Sequence, residues 1–210
     1  MDKFQNKYRI QSARLQGYDY GSSGAYFITI CTKNRIHFFG KIVETDSNPP
    51  QNGIDRNSHQ KMELNDIGIL VENEWLKTIE LRPDMNLQLD AYVVMPNHFH
   101  GIIIIGDNQY NTGRDGLQSV SMGNINNNTK DGLQSGSTQN VFGTQSKNIA
   151  SIIRGFKSAV TKNARLLNPT FEWQTRFHDH IIRDEKSFNN IHYYICNNPK
   201  KWKEDTFYKS

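Results

Sequence analysis

Two apolar runs, residues 87–95 and 99–105, flank Pro96-Asn97 and read as a β-hairpin, because β-branched and aromatic residues dominate both arms and a turn pair separates them. The second arm opens as His98-Phe99-His100-Gly101 and continues as four isoleucines. Residues two apart on a strand share a face, so His98 and His100 converge while Phe99 points the other way. Any fold for this chain must therefore place two imidazoles side by side at the start of an apolar strand.

The remaining pattern supplies the partners of that hairpin. Residues 25–32 (AYFITICT) predict a strand after a Gly-Ser-Ser-Gly punctuation. Residues 65–81 predict a helix capped by Asn65 or Asp66, with Ile67, Leu70, Val71, Trp75 and Ile79 on one face and Pro83 just beyond its end. A second helix is expected over 149–167, with Ile149, Ile152, Ile153, Phe156 and Val160 inward. A short strand near 177–183 and a third helix over 185–198, stopped by Pro199, complete the list. The order strand, helix, strand, strand, helix, strand is that of an α+β, ferredoxin-like (βαββαβ) antiparallel sheet with helices on one face, followed by a C-terminal helix. The other face is expected to stay open for a ligand.

Two stretches break the pattern, at about 44–61 and 107–147. The first holds Pro49-Pro50 and Asn52-Gly53 and reads as a loop; the second is rich in Asn, Gly, Ser and Gln and repeats Asp-Gly-Leu-Gln-Ser twice. Polar insertions of this kind account for an apolar content of only 36%, and the 210 residues then suit one domain. No run is long enough to span a membrane, the N-terminal residues lack a signal-peptide core, and Cys31 and Cys196 alone can build neither a disulfide framework nor a four-thiolate zinc site. A cytoplasmic protein without a membrane partner is the expectation.

Charge is unevenly placed. The chain carries a formal +4, yet its last sixty residues hold eleven Lys/Arg against six Asp/Glu, so the whole positive excess sits there. A basic C-terminal third with interleaved aromatics suits a polyanion, although solvated lysine-rich helices produce the same count.

Adjacent imidazoles can chelate a divalent cation or simply line a strand end. A third ligand would have to come from elsewhere, and the last helix offers one. Tyr194 and Asn198 are four residues apart, as are Tyr193 and Asn197. The apolar stripe Phe188, Ile191 and Ile195 separates the pairs: Asn198 lies close to it and Tyr194 on its flank, while Tyr193 points away. On the helix alone, Tyr194 reads first as an amphipathic aromatic at a core edge, with its hydroxyl in water.

The segment MPNHFHGIIII, followed by Tyr194-Ile195-x-x-Asn198-Pro199, resembles the HUH single-tyrosine transposases, and in particular their REP-associated branch. Further blocks in the same order carry the likeness: residues 17–20, 26–32, 65–68, 153–158 (IRGFKS), Trp173-Gln174 and 178–184 (HDHIIRD). The resemblance implies that Tyr194 is the nucleophile, that His98, His100 and Asn198 hold Mg²⁺ or Mn²⁺, and that the substrate is single-stranded DNA bearing hairpins. It implies a 5′-phosphotyrosine intermediate, with the strand rejoined afterwards, and either a monomer or a homodimer exchanging the tyrosine helix, the dimer being mildly favoured. In DNA-bound form such a protein would be associated with the nucleoid. Lys157, Arg154, Arg183 and Trp173 are the candidate DNA contacts.

Two other readings compete. A non-catalytic, ferredoxin-like nucleic-acid binding module needs exposed aromatics on its central strands, where this chain places histidines. A cupin-type metal oxygenase also uses His-x-His, but its all-β barrel has no place for three helices.

Overall fold

The computed structural model describes residues 3–4, 7–8, 18–45, 59–112 and 146–208. In chain order the strands are β1 (Lys3–Phe4), β2 (Lys7–Tyr8), β3 (Gly24–Cys31), β4 (Gly40–Thr45), β5 (His59–Leu64), β6 (Leu87–Met95), β7 (His98–Ile105) and β8 (His178–Ile182). The helices are α1 (Asp66–Glu80), α2 (Ile149–Leu167) and α3 (Glu185–Asn197), with a 3-10 segment, Pro199–Glu204, continuing from α3.

The principal sheet has four antiparallel strands in the order β6-β7-β3-β8. Taken as the first to fourth core strands, they lie in the order second, third, first, fourth, with α1 and α2 as the two crossovers. This is the ferredoxin-like α+β arrangement that the periodicity predicts. Alternation along the strands sends Tyr26, Ile28, Ile30, Phe99, Ile103 and Ile105 to one face, where they meet Val71 and Trp75 of α1 and Ile152, Ile153 and Phe156 of α2.

Local chemistry sets the helix ends. Asn65 caps α1 by accepting from the Gly68 N–H at 3.0 Å, and Asn148 with Ser151 forms a reciprocal capping box on α2. Ile79, expected inward on α1, is instead exposed; it lies in the last turn of the helix.

Gly101 makes the core possible at one tight point. A Cβ there would come within 2.9 Å of both the Phe99 Cζ and the Trp75 Cζ2 atoms, two fully buried rings whose centroids are 4.7 Å apart. Gly101→Ala is therefore expected to overpack the core by about 1–3 kcal/mol. An unchanged urea midpoint would contradict this packing account.

Two expectations need correction. The sheet face expected to be open is partly covered by α3, whose Phe188, Ile191 and Ile195 pack against Ile102, Ile104 and Ile182. The isoleucines of β7 alternate, so half of them needed an apolar cover on that side. The stretch 44–61, read as loop, begins and ends in strand: β4 and β5 pair from Gly40↔Leu64 to Thr45↔His59. The apolar positions of this hairpin, Ile42, Val43, Met62 and Leu64, are too sparse among polar neighbours to announce it. Residues 46–58, and 113–145 of the second polar stretch, lie outside the described residues. Among the described residues no helix is long and apolar enough to cross a membrane.

Candidate functional site

β7 lies between β6 and β3, and its register puts His98 opposite Met95 and Cys31, and His100 opposite Val93 and Thr29. Both imidazoles face the α3 side of the sheet with their rings 4.5 Å apart, and they are 0% and 1% exposed. Burial, with Arg35 nearby, pushes His98 down to about 3. Burial, with His98 beside it, holds His100 well below the ordinary imidazole value. Both rings are thus neutral at physiological pH and offer lone pairs.

Hydrogen bonds decide which nitrogen carries the lone pair on His98. The Asn97 amide donates to Phe207 O at 2.9 Å and to Arg35 O at 3.2 Å, which turns its oxygen towards His98 Nδ1, 2.9 Å away. Nδ1 therefore carries the proton, and the lone pair sits on Nε2. That atom is buried and has no hydrogen-bond partner among the described residues. The Thr29 hydroxyl, 2.9 Å from His100 Nδ1, holds the orientation of that ring. An orienting partner on Nδ1 with Nε2 left available, as at His98, is the usual support of a metal-ligating histidine.

α3 brings its side chains to these nitrogens. The Tyr194 hydroxyl lies 3.2 Å from His100 Nε2, and its ring meets the edge of Phe27. Tyr194 is 40% exposed, whereas Tyr193 is 65% exposed and turned to solvent. Burial first, and then the Asp205 carboxylate, push the Tyr194 phenol up to about 12. Asn198, one turn on, is 2% exposed; its amide nitrogen donates to Asp205 Oδ2 at 2.9 Å, and its oxygen is buried without a partner among the described residues. His98, His100, Tyr194 and Asn198 are thus brought together around Asp205.

Sequence reasoning missed the C-terminal segment. After Pro199 the chain turns back, so that Asp205 accepts from Tyr194 at 3.4 Å and Phe207 lies against both imidazoles, 4.7 Å from His98 and 5.8 Å from His100. The ligand atoms of His98, His100 and Asp205 all fall within 4.8 Å of one another, close enough to share a divalent ion. Thr29 was missed as well, because its role depends on a pairing 71 residues apart in sequence.

The donor set fits the cation expected from the sequence. Two neutral imidazoles, an amide oxygen and a nearby carboxylate are oxygen and borderline nitrogen ligands, and the buried, unpartnered Nε2 of His98 and Oδ1 of Asn198 are atoms that a cation would satisfy.

The candidate DNA contacts fare unevenly. Trp173 is corrected: it is 9% exposed and packs 5.3 Å from Phe39 and 5.2 Å from Phe171, so it belongs to the core and cannot present its face to a base. Lys157 directs its ammonium to the carbonyls of Gln174 and Thr175, at 2.5 and 3.4 Å. Arg154 is exposed on α2, in the layer opposite the histidines. Arg183 is exposed and lines a cleft of about 330 Å³ with Tyr20, His180 and Ser187 at the β8 edge.

No family model matches the chain. Among solved structures, it is similar to the REP-associated tyrosine transposase bound to a REP hairpin, with a TM-score of 0.48 and 18% identity over 91% of this chain and 74% of that one. Among curated proteins, it is 37% identical over 199 residues to an uncharacterized protein of Haemophilus influenzae, covering 94% of this chain and 92% of the relative. At that identity over nearly the full length of both, the chain belongs to the same family as the Haemophilus influenzae protein.

Proposed function

We propose that this chain is a transposase of the HUH single-tyrosine kind, which nicks and rejoins hairpin-bearing single-stranded DNA. The observation that carries the proposal is the Tyr194 hydroxyl, 3.2 Å from His100 Nε2, beside a His98 lone pair that nothing among the described residues engages. A phenol placed on a pair of neutral, oriented imidazoles is an arrangement that a purely structural aromatic has no need of.

In this reading His98, His100 and Asn198 hold Mg²⁺ or Mn²⁺. The ion, when bound, would polarise the scissile phosphate and offset charge on its oxygens. The chain's own task is to present Tyr194. Its phenolic oxygen forms the bond to phosphorus and the 3′-oxygen of the neighbouring nucleotide leaves. The proton given up by the phenol is balanced by the one the 3′-oxygen takes up. A 5′-phosphotyrosine and a 3′-hydroxyl result, and reversal rejoins a strand with no external energy source. The phenol is a weak nucleophile at neutral pH, and part of its elevation comes from the negative charge of Asp205, which a bound cation would counter.

Incubation of the full chain with a hairpin-bearing single-stranded oligonucleotide and Mn²⁺ should give a shifted, covalent species on a denaturing gel, absent in EDTA. Equal oligonucleotide affinity in Mn²⁺ and EDTA, with no covalent species in either, would contradict this reading and favour a non-catalytic binding module.

A further inference from the structure

Asp205 lies seven residues beyond Asn198 and outside α3, yet its carboxylate and the ligand atoms of the two histidines all fall within 4.8 Å of one another. Its position is fixed from several sides. Oδ1 accepts from the Phe207 N–H at 2.6 Å, and Oδ2 accepts from the Asn198 amide at 2.9 Å and from the Tyr194 hydroxyl at 3.4 Å. The segment carrying it is anchored at both ends. Trp202 is buried against His37 and His98. Arg35 donates to Thr206 O at 3.3 Å and stacks its guanidinium 4.1 Å over Phe207. Holding a carboxylate beside two neutral imidazoles, with the cation of Arg35 directed to Thr206 O and Phe207, leaves its charge without an ion pair among the described residues.

We propose that Asp205 is an anionic ligand of a divalent cation shared with His98 and His100, so that the C-terminal segment is a working part of the metal centre. Asn198 and the histidines are all neutral; the carboxylate supplies the one negative charge and biases the site towards hard cations such as Mn²⁺ and Mg²⁺ over Ni²⁺ and Zn²⁺, which imidazoles alone favour. The two unpartnered buried atoms, His98 Nε2 and Asn198 Oδ1, mark the space the ion would take. This assignment rests on the metal-dependent reading above only in sharing its histidines.

The test is titration of the full chain with Mn²⁺ alone and with Ni²⁺ alone, without DNA. Asp205→Asn keeps the shape and an acceptor for Asn198, and should weaken Mn²⁺ binding by at least the ~10–100-fold that loss of an outer-shell partner costs, while weakening Ni²⁺ much less. Asp205→Glu, which keeps the charge, should stay within a few-fold of the unaltered chain. Mn²⁺ affinity unchanged in Asp205→Asn would overturn the proposal, as would an equal loss of both metals, the mark of a merely structural role. An Asp205-dependent Mn²⁺ site in a chain that forms no DNA adduct would sink the nicking reading and leave this one standing.

Discussion

Tyr194→Phe is expected to abolish the covalent DNA adduct, lowering it at least ~10³-fold, because it removes the oxygen that the proposed mechanism joins to phosphorus. The same variant should bind the hairpin oligonucleotide within a few-fold of the unaltered chain. Among the described residues the lost hydroxyl meets His100 and Asp205, with Asn198 also acting on it, and it is not fully enclosed, so stability should fall by no more than about 1 kcal/mol. Tyr193→Phe is the matched control: its ring is turned to solvent, and its adduct yield should be unchanged. Residual adduct at full level in Tyr194→Phe would remove the tyrosine from the mechanism, whatever the metal does.

The second large effect is expected at His98. His98→Ala deletes the buried Nε2 and should lower Mn²⁺ affinity by at least ~100-fold, since in the proposed site a ligand is lost rather than an outer-shell support. Thermal melting reports this directly. A ligand at a hundred times its Kd stabilises by about 2.7 kcal/mol, and each kcal/mol is worth roughly 2–4 °C in a domain of this length. The unaltered chain should melt higher with Mn²⁺ than with EDTA, whereas His98→Ala should melt alike in both. Its metal-free melting point should also drop, because Asn97 Oδ1 loses its donor and Phe207 its ring partner. A Mn²⁺-dependent rise that survives in His98→Ala would place the cation elsewhere.

What was legible in the sequence follows a simple physical division. The strand and helix runs were readable to within a residue or two where apolar period was long: α2 is Ile149–Leu167 as expected, because a capping Asn precedes it and six buried positions recur along it. Tyr194 was separable from Tyr193 for the same reason, since Phe188, Ile191 and Ile195 fix which side of α3 meets the sheet. The β4–β5 hairpin was not legible, because few apolar residues define its inner face. Trp173 misled because it sits in an irregular segment, where nothing periodic distinguishes a surface ring from a core ring.

The rest of the site depends on contacts that no local pattern encodes. Thr29 reaches His100 through cross-strand register, and Asn97 orients His98 only because Phe207 and Arg35 hold its amide from the other side. Asp205 enters through the backward turn of a 3-10 segment whose own sequence, PKKWKE, reads as a solvated basic end. The histidines and the tyrosine could be named from spacing; the groups that orient them and supply the negative charge required the fold.

The central claim is that Tyr194 attacks a DNA phosphate at the two-histidine site. The most direct measurement is mass-spectrometric mapping of the nucleotide-linked peptide after the full chain reacts with a hairpin-bearing single strand and Mn²⁺. The account predicts a 5′-phosphodiester to Tyr194 and a free 3′-hydroxyl on the released fragment. Attachment at any other residue, or a cleaved strand with no peptide attached, would contradict it.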